Sequence, residues 1–206
     1  MKLIITTVPM KKDISPFQYP VVGNSIIEYE EEVFFPVNAV LAKILQKGER
    51  GKVLFLSTSG GDENYSRDNI KKFKEELIKI NGEIKANLSW ETIEVPFDPR
   101  NEVFEQLTGG IISRFEKDCQ IIADITYGIK PLPMILFCAL QFAEKFFNAA
   151  ILNVIYGKAE FNRQNKPENP KLSDITSLFY LNKLIGAMEC ESGEIASKIL
   201  NDFFKM

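Results

Sequence analysis

The stretch from Cys119 to Phe147 limits what this chain can fold into more than any other. An apolar run, Cys119 to Ile125, passes through a polar turn, Thr126-Tyr127-Gly128-Ile129-Lys130, and empties into a long apolar helical pattern from Leu132 to Phe147. That order reads strand, turn, helix. A fully apolar strand followed by a helix is the building unit of a parallel α/β sheet. In such sheets ligands bind in the crevice outside the carboxyl ends of the strands. The polar turn is therefore the first candidate site.

The same alternation runs along the rest of the 206 residues. Lys2–Thr7, Lys52–Thr58, Ile84–Phe97 and Ile151–Tyr156 read as strands. Apolar stripes at helical spacing fall between them: Val37, Val40, Leu41, Ile44; Ile70, Phe73, Leu77, Ile80; and Val103, Leu107, Ile111, Phe115 within 101–117. Pro36 suits a first helical turn. Ser66 or Asp62 offers the next cap, and Gly109-Gly110 weakens its helix by ~1 kcal/mol each. Residues 8–25 form a long proline-containing loop, and Ile26–Phe35 a short strand or hairpin arm. The expected fold is α/β: a Rossmann-like, mainly parallel sheet with helices on both faces over 1–161, then a C-terminal helical flank, 162–206, packed on the same domain. Within that flank, 162–171 reads as a polar loop, Ser173 as a helix cap and Glu194–Phe204 as the last helix.

The chain has no His, which removes every His-based triad, Cys–His pair and His-rich metal site. Acid–base chemistry is left to Lys, Tyr, carboxylates or the substrate. A net charge of −3 points to neither duplex nucleic acid nor an anionic membrane as partner. Three Cys with no CxxC spacing read as reduced thiols, and no apolar run reaches the ~18 residues of a membrane span. The expectation is a cytoplasmic protein without metal or cofactor.

Four strand ends carry similar chemistry: Thr6-Thr7, Thr58-Ser59-Gly60-Gly61, Thr126–Lys130 and Tyr156-Gly157-Lys158. Hydroxyls and free N–H groups near helix starts suit phosphate oxygens, and Lys130 adds a point charge. Pro131 and Pro133 remove two donors from the helix start, and neither GxxxxGK[ST] nor GxGxxG occurs. Asp124 either orients Lys130 or a ligand hydroxyl, or accepts backbone N–H groups and fixes the turn. Tyr127 either stacks on a base or covers an interface. Glu30–Glu32 reads as a solvated face. Lys11-Lys12 and Arg163 with Lys166 face solvent or line the mouth of an anionic site. The helix 132–147 is apolar on nearly every face, which calls for cover on two sides, the second from another subunit.

The run Asp124-Ile125-Thr126-Tyr127-Gly128-Ile129-Lys130-Pro131-Leu132-Pro133 resembles the D-[IL]-T-[HY]-G-x-[RKN]-x-[LM]-P signature of CARF domains, the CRISPR-associated Rossmann-like sensors of type III systems. Thr6-Thr7, Thr58-Ser59-Gly60, Tyr156-Gly157-Lys158 and Asp174-Ile175-Thr176 follow in matching order. The resemblance implies a homodimer that binds one cyclic oligoadenylate, most commonly the tetra-adenylate, across its two-fold axis in antiviral signalling. It implies lips formed by Thr6, Thr7 and Val8 and by Thr58, Ser59 and Gly60, with Thr126, Tyr127, Gly128 and Lys130 on phosphate and ribose. The common His of the turn is Tyr127 here. An effector domain or protein, absent from these 206 residues, would read the signal. The alternative is a metal-independent ring nuclease, in which a ribose 2′-OH attacks the adjacent phosphorus and Lys130 stabilises the developing charge.

Overall fold

The computed structural model describes residues 1–60, 63–98, 100–161 and 167–204. Gly61, the proposed cap Asp62, and Arg163 and Lys166 lie outside them. Strand β1 (Lys2–Thr7) is buried at every position, as its unbroken run predicts. It is followed by a two-residue strand β2 (Val21–Val22) and a 3₁₀ turn, Ser25–Ile27, whose Ile26 N–H donates to Asn24. Then come α1 (Pro36–Ile44), β3 (Arg50–Ser59), α2 (Ser66–Ile84), β4 (Asn87–Pro96), α3 (Asn101–Ile112), β5 (Gln120–Asp124), α4 (Leu132–Phe147), β6 (Ala150–Phe161), β7 (Pro167–Asp174), α5 (Thr176–Ala187) and α6 (Gly193–Phe203).

The sheet order is β2-β7-β6-β5-β1-β3-β4. Its centre, β6-β5-β1-β3-β4, is parallel throughout. The chain steps outward from β1 to β3 and β4, returns to the other side of β1 for β5, and steps outward again to β6. This is the doubly wound α/β arrangement, with its topological switch point between β1 and β5. Right-handed crossovers then put α1 and α2 on one face and α3 and α4 on the other. The helices do pack in those pairs. On the first face Ile4, Val53, Phe55, Ile122 and Ile155 meet Phe35, Val37, Leu41, Phe73 and Leu77.

Several local expectations are corrected. The polar loop expected over 162–171 gives way at Pro167 to β7, which runs antiparallel to β6 and carries the sheet on to Asp174. Its polar composition hid it because only Leu172 must be buried there. The arm expected over Ile26–Phe35 is the 3₁₀ turn plus a single bridge, Phe17 to Val33. The helix expected over 101–117 stops at Ile112, just past its two glycines. The N-cap of α2 is Tyr65, not Ser66, and Ser173 lies inside β7 rather than capping a helix. Residues 1–176 form one compact unit, and a second begins at Ser177 and holds α5 and α6.

Two glycines make opposite predictions. A Cβ on Gly157 of β6 would lie 2.5 Å from Cγ of Pro36, a ring fixed to the start of α1, and 3.1 Å from Cγ2 of Thr126. Gly157→Ala is expected to cost about 1–3 kcal/mol. A Cβ on Gly109 meets nothing within 4 Å in α3, so Gly109→Ala is expected to stabilise by about 1 kcal/mol. Urea unfolding of the two variants checks both signs.

Candidate functional site

At the switch point β1 and β5 end side by side, and register pairs Thr6 with Asp124. Asp124 belongs to a transverse row, Phe55–Thr6–Asp124–Ile155–Asp174, running across five strands. It is fully buried. A carboxylate there must be hydrogen-bonded to be tolerated, and three donors reach it. Thr6 Oγ1 donates to Oδ2 at 2.9 Å, Thr126 N donates to Oδ1 at 2.9 Å, and the Thr126 hydroxyl also donates to Oδ1. Burial nevertheless dominates and pushes the Asp124 carboxyl up to about 6, against the opposing pull of Thr126 and Thr6.

The neighbouring hydroxyls work in relay. Thr7 Oγ1 donates to the Asp124 carbonyl at 3.3 Å and accepts from Tyr127 N at 2.8 Å. Thr126 Oγ1 accepts from Gly157 N at 2.8 Å, and Ile125 N donates to Ile155 O. The Asp-Ile-Thr segment thus ties β1, β5 and β6 together. A second Asp-Ile-Thr segment does the same from the other side of β6. Thr176 N and its hydroxyl donate to Asp174 Oδ1, Val154 N donates to Thr176 Oγ1 at 2.8 Å, and Ile175 N donates to Val154 O. Asn24 and Asn153 supply two further donors to Asp174. Burial raises the Asp174 carboxyl, but these donors outweigh it and the net shift is downward. Two matching tripeptides with one wiring carry carboxylates shifted in opposite directions, because one is sealed and the other is half-exposed and better supplied with donors.

The start of α1 is closed by the protein itself. Glu76, from the middle of α2, accepts from Phe34 N at 2.7 Å, Phe35 N at 3.3 Å and Asn38 Nδ2 at 2.7 Å. A helix N-terminus after the first strand is the ordinary seat of a ligand phosphate in this topology; here a carboxylate takes that place. Burial raises the Glu76 carboxyl, opposed by those three donors. The start of α4 is closed too. Leu132 N bonds Ile129 O, Met134 N bonds Pro131 O, and Pro131 and Pro133 have no N–H.

What stays open is the turn itself. Gly128 has φ +98°, a left-handed conformation that glycine adopts without strain. The N–H groups of Gly128, Ile129 and Lys130 donate no hydrogen bond among the described residues. Lys130 is exposed and forms no ion pair among them. Three successive free N–H groups beside an ammonium can hold an anion. Tyr156, two-fifths exposed, and the exposed Lys158 stand on the adjoining strand.

The other expected site residues divide by burial. Thr6 and Thr7 are buried, with their hydroxyls used internally, and Val8 is buried with its N–H on Leu56 O. Tyr127 packs against the core on the α1/α2 side, and its phenol is raised by burial and by nearby Tyr19, Asp124 and Glu76. Thr58 is buried, and its hydroxyl has no partner among the described residues. Ser59 is half-buried and Gly60 exposed, one strand beyond β1. Asn64 Nδ2 donates to Thr58 O and Gly60 O. The sequence reading missed Glu76, which looked like one more charge on the solvated side of α2. It named Asp174-Ile175-Thr176 but missed the tie that this segment makes to β6. No group of three or more His, Cys, Asp or Glu among the described residues could hold a metal ion, and no described helix is long and apolar enough to cross a membrane. The chain matches no protein-family model, and comparison with curated proteins gives no match.

The folded Asp124 binds its proton more tightly than the unfolded chain does. Stability contributed by its neutral form is full below about pH 4 and falls by roughly 3 kcal/mol as pH rises through about 6. Asp124→Asn keeps the acceptor for Thr126 without a charge, and Thr6 can accept instead of donate. Its stability relative to wild type should improve from pH 4 to pH 7.5 by that order. Asp124→Ala, which strands three donors, should be destabilised at both. Denaturation at the two pH values measures this, and a pH-independent Asn–wild-type difference contradicts it.

Proposed function

We propose that this chain is a sensor domain for cyclic oligoadenylate in type III CRISPR signalling, with the tetra-adenylate its first candidate ligand, binding one ring across a homodimer. The observation that carries the reading is the Thr126–Lys130 turn. It lies at the β1/β5 switch point, is held from beneath by Asp124, and presents three free N–H groups and Lys130. With the starts of α1 and α4 closed, a phosphodiester would sit on the turn rather than on a helix terminus. The same closure argues against a dinucleotide in the usual seat.

Binding is favoured over catalysis by the groups available. Asp124 is sealed beneath the turn, and the phenols of Tyr19 and Tyr127 are raised by burial. No described group at the turn is suited to act as a general base near neutral pH. Transesterification would rest on positioning and Lys130 alone.

The dimer reading is supported by α4. Met134, Cys138, Phe142 and Phe146 recur every four residues along it and are all exposed, Met134 by 74% and Phe146 by 62%. The rings of Phe142 and Phe146 lie 4.5 Å apart. A self-complementary stripe of this kind suits an isologous contact.

Labelled cyclic tetra- and hexa-adenylate, incubated with the chain in chelator, test the reading. Micromolar or tighter binding with the ring intact over hours is expected. Linear products would transfer the assignment to the ring nuclease. Lys130→Ala should weaken binding by about 10-fold or more, the loss of one charge-assisted contact, without changing stability. Absence of binding by either ring at micromolar protein would remove the proposal.

A further inference from the structure

The second compact unit carries an apolar surface that the candidate site does not explain. In α6, Ile195, Ile199 and Phe203 recur every four residues, with Phe204 beside them, and they are 45–62% exposed. No residue of α6 is buried. Ser192 caps the helix by accepting from Ile195 N, so the start is well made. Eleven residues are nonetheless too few for a stable isolated helix, which needs about 12–15 even in favourable sequences. The helix has one face built for burial and nothing buried on it.

We infer that α6 is a second self-association surface, which packs antiparallel against α6 of another copy about a two-fold axis at Ile199. Three observations select a second copy as the occupant. The first is charge. Residues 177–204 hold two lysines, Lys183 and Lys198, against four acids, Glu189, Glu191, Glu194 and Asp202. A membrane-surface helix needs a cationic polar face, and a nucleic-acid surface needs a basic one; this segment has neither. The second is register. In an antiparallel pair centred on Ile199, Lys198 of one copy and Asp202 of the other fall within about 3 Å of the same height along the axis. Ile195 then faces Phe203. A parallel pair would set Lys198, Glu194 and Asp202 each against its own copy. The third is area. Four side chains of ~200 Å², each about half exposed, offer ~400 Å² per copy. Across two copies that is ~800 Å², the size of a weak, concentration-dependent contact.

The contact is separable from the α4 stripe. Sedimentation of full-length Phe142→Glu/Phe146→Glu, exposed positions that should tolerate charge, leaves α6 as the surface under test. That variant is expected to self-associate, and adding Ile199→Glu should weaken its association by about 100-fold. In a Cys138→Ser/Cys190→Ser background, Ile199→Cys should form a disulfide-linked dimer under mild oxidation, whereas Ser192→Cys should not. A Phe142→Glu/Phe146→Glu variant that stays monomeric, or equal cross-linking at 192 and 199, overturns the inference. So does an Ile199→Glu effect traced by circular dichroism to loss of the helix while 199 fails to cross-link. Association that survives Ile199→Glu, through α5 or any other surface, also counts against it.

Discussion

The buried carboxylate of Asp124 is the interaction on which the site depends. It sits where the sheet reverses its order, and it must be satisfied from within because water does not reach it. Thr6 and Thr126 satisfy it, Thr7 ties its main chain to the next turn, and Thr126 passes a bond to β6. The polar side chains that looked like ligand contacts in sequence are thereby used to hold three strand ends in one plane. The N–H groups of residues 128–130, in the turn these side chains hold, donate to no group among the described residues.

Glu76 is the complementary constraint. By filling the N-terminus of α1 it neutralises the strongest anion seat of a doubly wound fold. It also links α1 to α2. The β5–α4 turn keeps N–H groups without a partner among the described residues, beside a helix start where Pro131 and Pro133 supply no donor. The exposed apolar stripe of α4 begins at Met134, four residues past Lys130.

The architecture was legible because its signals are periodic. Apolar runs marked β1, β3, β5 and β6, the spaced Trp90, Ile93 and Val95 marked β4, and stripes at 3.6-residue spacing marked the helices between them. The elements that were not legible owe their existence to partners rather than to pattern. β7 is polar because much of it extends past the end of β5 on a two-stranded ribbon, and β2 is two residues long and exists through Leu172 and Ser173. At the site, Asp124, Thr6 and Thr126 stood out as polar residues closing apolar strands. Their inward orientation could not be read, since it depends on register between segments 118 residues apart. Glu76 carried no signal at all, because a mid-helix glutamate on a charged face looks the same whether it meets water or another helix.

We propose that the Thr126–Lys130 turn is half of a two-fold site, and native mass spectrometry tests that most directly. The full chain mixed with cyclic tetra-adenylate should give one dominant bound species, with two chains to one intact ring, or multiples of that ratio. The species should be lost in Lys130→Ala. One ring per chain, or no adduct with a correctly folded protein, contradicts it.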